Sequence, residues 1–103
     1  MYKIDYLPSA KEDMAEIARY ISHDLQNPMA ADKLAIEMVE AADGLSDFPY
    51  RNRVYQPIKP LKREYRKLLV QNYILFYYIE EEQKLVTIAR AIYGRRDYGK
   101  LLE

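Results

Sequence analysis

The order of the apolar periodicities constrains this chain more than any single motif in it. Tyr2, Ile4 and Tyr6 alternate with Lys3 and Asp5, the period of a half-buried strand, and Pro8 stops it. Ser9-Ala10-Lys11-Glu12 fits a capping box, in which the Ser9 hydroxyl and the Glu12 carboxylate each satisfy a free amide, so a helix is predicted from Ser9. Met14, Ile17, Ala18, Ile21 and Leu25 recur at helical spacing and leave Asp13, Glu16, Arg19 and His23 off the stripe. Asn27-Pro28 reads as a stop and a new start, with Asn27 as N-cap and Pro28 at the first helical position, where a missing amide hydrogen does no harm. The second helix runs to about Gly44, with Ala31, Leu34, Ala35, Met38, Ala42 and Leu45 as its apolar stripe. So short a connection predicts an antiparallel helical hairpin.

From Ser46 to Arg63 periodicity is lost, and Pro49, Pro57 and Pro60 mark a basic loop. Strand patterns follow at Tyr65 to Val70, Tyr73 to Ile79 and Leu85 to Tyr93, the last rich in β-branched residues. Gln71-Asn72 and Glu81-Glu82-Gln83 supply the reversals, the first through the tolerance of Asn for positive φ. Gly94 ends the last strand, and the charged tail after it has room for a short turn of helix. The expected fold is α+β in the order β-α-α-β-β-β: an N-terminal strand, an antiparallel helical hairpin, then a three-stranded antiparallel meander, with the helices on one face of the sheet. On the last strand, strict alternation puts Val86, Ile88, Arg90 and Ile92 on one side and Leu85, Thr87, Ala89, Ala91 and Tyr93 on the other. A sheet apolar on both faces predicts a cover for the second face, either a partner chain or a dimer mate.

Size and composition narrow the chemistry. A chain of 103 residues, half of them apolar, holds one core, so residues 1–103 form a single domain. The absence of cysteine removes disulfides, Cys-ligated zinc and a thiol nucleophile. No run approaches the roughly 20 apolar residues of a membrane span, and no basic patch precedes an apolar one at the start; a cytoplasmic protein is expected. Three scattered glycines make no phosphate loop, and the single His23 offers neither a metal-ligand spacing nor a triad, so neither a metal site nor a cofactor is expected. Net charge is zero, yet residues 1–50 hold four bases against ten acids and the remainder twelve bases against six acids. Such segregation creates either a basic face that attracts phosphates or an acidic protein, or simply two solvated faces of opposite sign.

The residues left for function are arginine, lysine and tyrosine. Tyr93 and Tyr98 flank Gly94-Arg95-Arg96-Asp97, where rings stand beside guanidinium groups, a combination suited to RNA. Arg66 and Lys67 on the first meander strand, Arg90 on the last, and Arg95-Arg96 beyond it could converge on one side of the sheet; the alternative is ordinary surface cations paired with Glu80-Glu81-Glu82. A metal-free ribonuclease needs cations for the phosphorane and groups that move protons, which Arg, Lys and Tyr can supply.

Taken in order, the opening strand with Pro8-Ser9-Ala10, a helix carrying Asp13, Ile17, Tyr20 and Ile21, then Asn27-Pro28, Ala31, Leu34, Leu45 and Pro49, YRKLLVQNYILFYYI from Tyr65, and IARAIYGRRDYGKLL from Ile88 resemble the RelE/ParE toxin superfamily over nearly the whole chain. The resemblance implies the toxin of a type II toxin–antitoxin or plasmid-stabilisation module, neutralised by a cognate antitoxin; the apolar second sheet face and the basic half predict that the antitoxin segment bound is acidic and amphipathic and folds as it binds. RelE-like members cleave messenger RNA on the ribosome; ParE-like members poison DNA gyrase. RelE-like enzymes carry a catalytic arginine one residue into the second meander strand, where this chain has Ile74, and the N-Y-x-x-x-Y run and the G-R-R-D tail look closer to the ParE side. The resemblance therefore implies gyrase as target ahead of ribosomal mRNA, with a non-toxic antitoxin-binding relic as a further alternative. Target binding falls to Arg66, Lys67, Arg90, Tyr93, Arg95 and Arg96. In a ribonuclease, Arg66 would bind phosphate, Arg96 would stabilise transition-state charge and Tyr98 would transfer a proton.

Overall fold

The structure, a computed structural model, describes residues 1–102. Strand β1 (Lys3–Tyr6) leads into helix α1 (Pro8–Arg19), and helix α2 (Pro28–Asp43) follows after one π turn at Tyr20–Asp24. Strands β2 (Arg66–Val70), β3 (Tyr73–Glu80) and β4 (Leu85–Tyr93) form the expected antiparallel meander. The sheet order is β1-β4-β3-β2, and β1 joins it parallel to β4, so the sheet is mixed.

The α+β order is as expected, and the local reasons for it are mixed. Asn27 caps α2, its Oδ1 accepting the Ala30 amide at 3.1 Å, with Pro28 at the first helical position. At α1 the expected capping box does not form. Pro8 opens the helix behind Leu7, which has no side chain that can cap, and the Ser9 hydroxyl instead donates to the Ala89 carbonyl at 2.8 Å. The end of the first helix also departs from a regular α-helix. Leu25 N–H reaches back five residues to the Tyr20 carbonyl, and Gln26 takes a left-handed conformation (φ 51°), which turns the chain so that Asn27 can begin α2. At the β2–β3 turn the positive φ falls on Gln71 (52°), not on Asn72. The tail after Gly94 makes two hydrogen-bonded turns, Arg96 N–H to Tyr93 O and Leu101 N–H to Tyr98 O, rather than a helix.

Both helices lie on one sheet face. Ala10, Leu34, Met38 and Ala42 from α1 and α2 are buried against Val70, Leu75, Tyr77, Val86, Ile88 and Ala91. The second face carries its own apolar cluster of Ile74, Phe76 and Ile92, and there the sequence expectation fails twice. Phe76 pairs with Arg90 but the next residue, Tyr77, pairs with Ile88, which leaves Ala89 as an extra residue in β4. This β-bulge shifts the alternation by one. Val86 and Ile88 therefore face the helices, whereas Arg90 and Ile92 take the opposite face. The cover over the second face is the chain itself: Tyr55, Leu61 and Tyr65 from the long loop and its end, and Tyr98, Leu101 and Leu102 from the tail, pack on Ile74, Phe76 and Ile92. Among the described residues no helix is long and apolar enough to cross a membrane.

Candidate functional site

Beyond Tyr6 the sheet edge at β4 has no neighbouring strand, and α1 takes over its backbone groups. Leu7 N–H donates to Ile88 O, Ser9 Oγ to Ala89 O, and the Asp13 carboxylate accepts the Ala91 amide at 2.9 Å. The same carboxylate holds Arg90 in a two-pronged ion pair, Nε to Oδ2 at 2.6 Å and Nη2 to Oδ1 at 2.9 Å. Arg90 Nη1 then reaches the Leu101 carbonyl at 3.0 Å. Both side chains are largely shielded, at 23% exposure for Arg90 and 13% for Asp13. The hydrogen bonds that Arg90 donates to Asp13 push its pKa above the ordinary value, against the opposing effect of burial. Arg90 thus bolts three pieces together: α1, the last strand and the tail. Asp13, for which sequence reasoning gave no role beyond its place in the family pattern, is the centre of this joint.

Arg66 is braced at the other side of the sheet. It stands opposite Tyr77 on the helical face, donates to the carbonyls of Tyr50 (3.1 Å) and Asn52 (2.7 Å), and lies 5.1 Å over the Tyr50 ring. Tyr77 pins the same loop: its hydroxyl donates to Pro49 O at 2.7 Å and accepts from Asn52 Nδ2 at 3.1 Å. Lys67, one residue on, pairs with Phe76 and so belongs to the opposite face. Tyr98 is in that second-face cluster, tilted on Phe76 with ring centroids 5.0 Å apart and edge-on to Tyr55 at 5.4 Å. The strand alternation thus divides the expected cations. Arg66 is on the helical face, Lys67 and Arg90 are on the second face, and Arg95 and Arg96 sit exposed in the turn after β4. Arg66 and Tyr98 are not brought together.

What lies open is the end of the sheet where β2 and β3 turn and β4 finishes. Leu69, Gln71, Asn72, Ile74, Tyr93, Gly94 and Arg95 line a cleft of about 310 Å³ there, and Leu69, at the sheet edge, is 70% exposed. Gly94 lies at its floor: its amide donates to Asn72 O at 2.9 Å, and a Cβ there would make a tight contact, 3.2 Å from that oxygen. Ile74, at the strand position where the sequence departs from the RelE-like arginine, is buried among Phe76, Ile92 and Leu102. Among the described residues no group of His, Asp and Glu side chains forms a metal-binding cluster.

Residues 4–98 match the model of the ParE toxin of the type II toxin–antitoxin system parDE. The chain belongs to the ParE toxin family. Its fold is similar to that of solved toxins at low identity. A structure of the chromosomal ParDE system from P. aeruginosa superposes with a TM-score of 0.72 at 18% identity, covering 90% of this chain and 96% of that one. The RelBE2 toxin–antitoxin complex from Mycobacterium tuberculosis gives 0.65 at 20% identity (89% and 96%), and the archaeal RelE–RelB complex from Pyrococcus horikoshii OT3 gives 0.61 at 13% identity (92% and 97%). No curated protein sequence matches. In this ParE-family chain, then, the family fold is retained with the second sheet face closed by its own tail and the cleft at Leu69 and Arg95 left open.

Proposed function

We propose that this chain is the toxin of a type II toxin–antitoxin module, that it arrests growth through DNA gyrase in the cytoplasm, and that a cognate antitoxin neutralises it. The observation that carries the target is the second sheet face. Ile74 packs there among Phe76, Ile92 and Leu102, so no guanidinium extends from that strand position toward a scissile phosphate. One such charge contributes on the order of a few kcal/mol to a transition state. Arg66, Arg96 and Tyr98, the set a ribonuclease would use, come from different faces and segments, with Arg66 spent on loop carbonyls and Tyr98 wedged on Phe76. A surface of this kind suits binding to a large target better than phosphoryl chemistry. The purified protein should inhibit gyrase supercoiling and leave translated mRNA intact; cleavage of mRNA with no effect on gyrase reverses the assignment.

The antitoxin reading rests on the open cleft. Leu69 and Tyr93 offer apolar contact beside the Arg95 guanidinium, which suits an acidic, amphipathic segment that folds as it binds. Leu69→Glu should weaken capture by the protein of the adjacent reading frame, and a soluble, monodisperse chain with no stabilising protein encoded beside it would oppose the reading.

A further inference from the structure

The basic surplus of the second half of the chain is concentrated in one short segment. Residues 51–67 hold Arg51, Arg53, Lys59, Lys62, Arg63, Arg66 and Lys67 against the single acid Glu64. From Leu68 onward the charges balance, with Lys84, Arg90, Arg95, Arg96 and Lys100 against Glu80, Glu81, Glu82, Asp97 and Glu103. Part of that segment closes into a cleft of about 300 Å³, lined by Tyr50, Lys62, Arg63, Glu64, Arg66, Tyr78 and Ile79. It lies where β2 begins and β3 ends, at the opposite end of the strands from the Leu69 cleft.

Two features make this more than a patch of solvated charge. The Arg63 guanidinium sits 4.1 Å from the centroid of the Tyr78 ring, and among the described residues neither it nor Lys62 has an ion-pair partner. A guanidinium over a ring without an ion-pair partner keeps N–H donors for an incoming anion, and a guanidinium grips a phosphate through two parallel hydrogen bonds. Glu64 lies 3.8 Å from Arg66, and Glu81, which accepts the Tyr50 hydroxyl, is itself bonded by Lys84, so neither acid cancels Arg63.

We propose that this cleft binds the phosphodiester backbone of a nucleic-acid duplex, without regard to sequence. The rings make poor platforms for unpaired bases: Tyr78 is 8% exposed under Arg63, and Tyr50, though 48% exposed, has Arg66 over its face and Tyr2 edge-on. Nor does the cleft present a bare apolar anchor of the kind a tight protein interface uses. Spaced cations without ion-pair partners are what a regular phosphate array needs. The site requires neither gyrase nor antitoxin, so it stands or falls separately from the function proposed above.

Fluorescence anisotropy of the whole protein with labelled 20-bp DNA and RNA duplexes and a 20-nucleotide single strand, across a salt series, tests it. The DNA and RNA arms identify the source of the backbone; tight binding of either duplex supports the site. Lys62→Gln/Arg63→Gln should weaken duplex binding about tenfold or more and make the slope of log K against log salt shallower by about 2. Lys11→Gln/Lys33→Gln, the same charge change on the helices, should leave binding as it was. Lys62→Glu, at an exposed position outside the stacked pair, gives the same reading should loss of Arg63 disturb folding. Equal weakening by the helical control, unchanged binding in both cleft variants, or preference for the single strand would overturn the proposal.

Discussion

Asp13 performs two tasks with one carboxylate: it terminates a sheet edge by accepting the Ala91 amide, and it neutralises Arg90. Asp13→Ala should therefore destabilise the fold by about 3 kcal/mol, the order seen when one partner of a shielded pair is removed. In urea denaturation the double variant Asp13→Leu/Arg90→Met should fall well short of the sum of the two single changes; strict additivity would mean that the two side chains do not act as a unit. A second carboxylate works in the open. Glu81 accepts from Lys84, Tyr50 and Tyr2, which draw its pKa down from 4.5 to about 2, while its bond holds the Tyr50 hydroxyl protonated, to about 12. A carboxyl favoured as the anion in the folded state contributes its stability above pH 4.5 and loses it as pH falls toward about 2. The gap in Tm between the wild type and Glu81→Gln should accordingly be constant between that window and the alkaline range where Tyr50 and Lys84 titrate, and shrink as pH falls through it. A gap that persists unchanged into acid would contradict the assignment.

At the scale of elements, what could be read in the sequence was decided by whether a side chain acts on its own neighbourhood. Asn27-Pro28 was legible because a cap acts within its own turn, and the three meander strands were legible because short apolar runs bounded by turn residues need only their own pattern. Ser9 was not: its hydroxyl is claimed by Ala89, eighty residues on, and no local rule carries that information. The two readings of Ser9 separate experimentally. As a cap, Ser9→Asp would be nearly neutral. As a donor to a carbonyl, Ser9→Ala should cost about 1 kcal/mol, and Ser9→Asp, which puts an acceptor against an acceptor, at least as much by thermal denaturation. The bulge at Ala89 was hidden for a similar reason. Period-2 reasoning assumes an unbroken ladder, and one extra residue at Ala89 moved Arg90 and Ile92 to the face opposite Val86 and Ile88. Of the candidate cations the sequence supplied identity but not direction. Arg66 and Lys67 are adjacent in the chain and opposite in the sheet.

For the whole molecule, the apolar second face was correctly anticipated and its cover was not. Tyr98, Leu101 and Leu102 looked like a charged tail because Arg95, Arg96, Asp97 and Lys100 surround them in sequence, yet their apolar atoms close on Phe76, Ile74 and Ile92. Replacing Leu101 and Leu102 by Ser should expose that face, lower Tm and raise binding of an apolar dye. An unchanged Tm would show that the tail rests on the sheet without contributing to its stability. One more consequence follows from the pairing of Lys3–Tyr6 with Leu85–Ile88. Of the four strands of the sheet β1 is made first, and it has no partner until β4 is made, the strand that joins it to the rest of the sheet among the described residues. During synthesis the helices emerge with no floor to pack on, and such long-range pairing closes late. The sheet therefore cannot close until β4 has been made and has left the ribosome, so this fold is assembled as a unit after its last strand is released and not piece by piece as the chain grows.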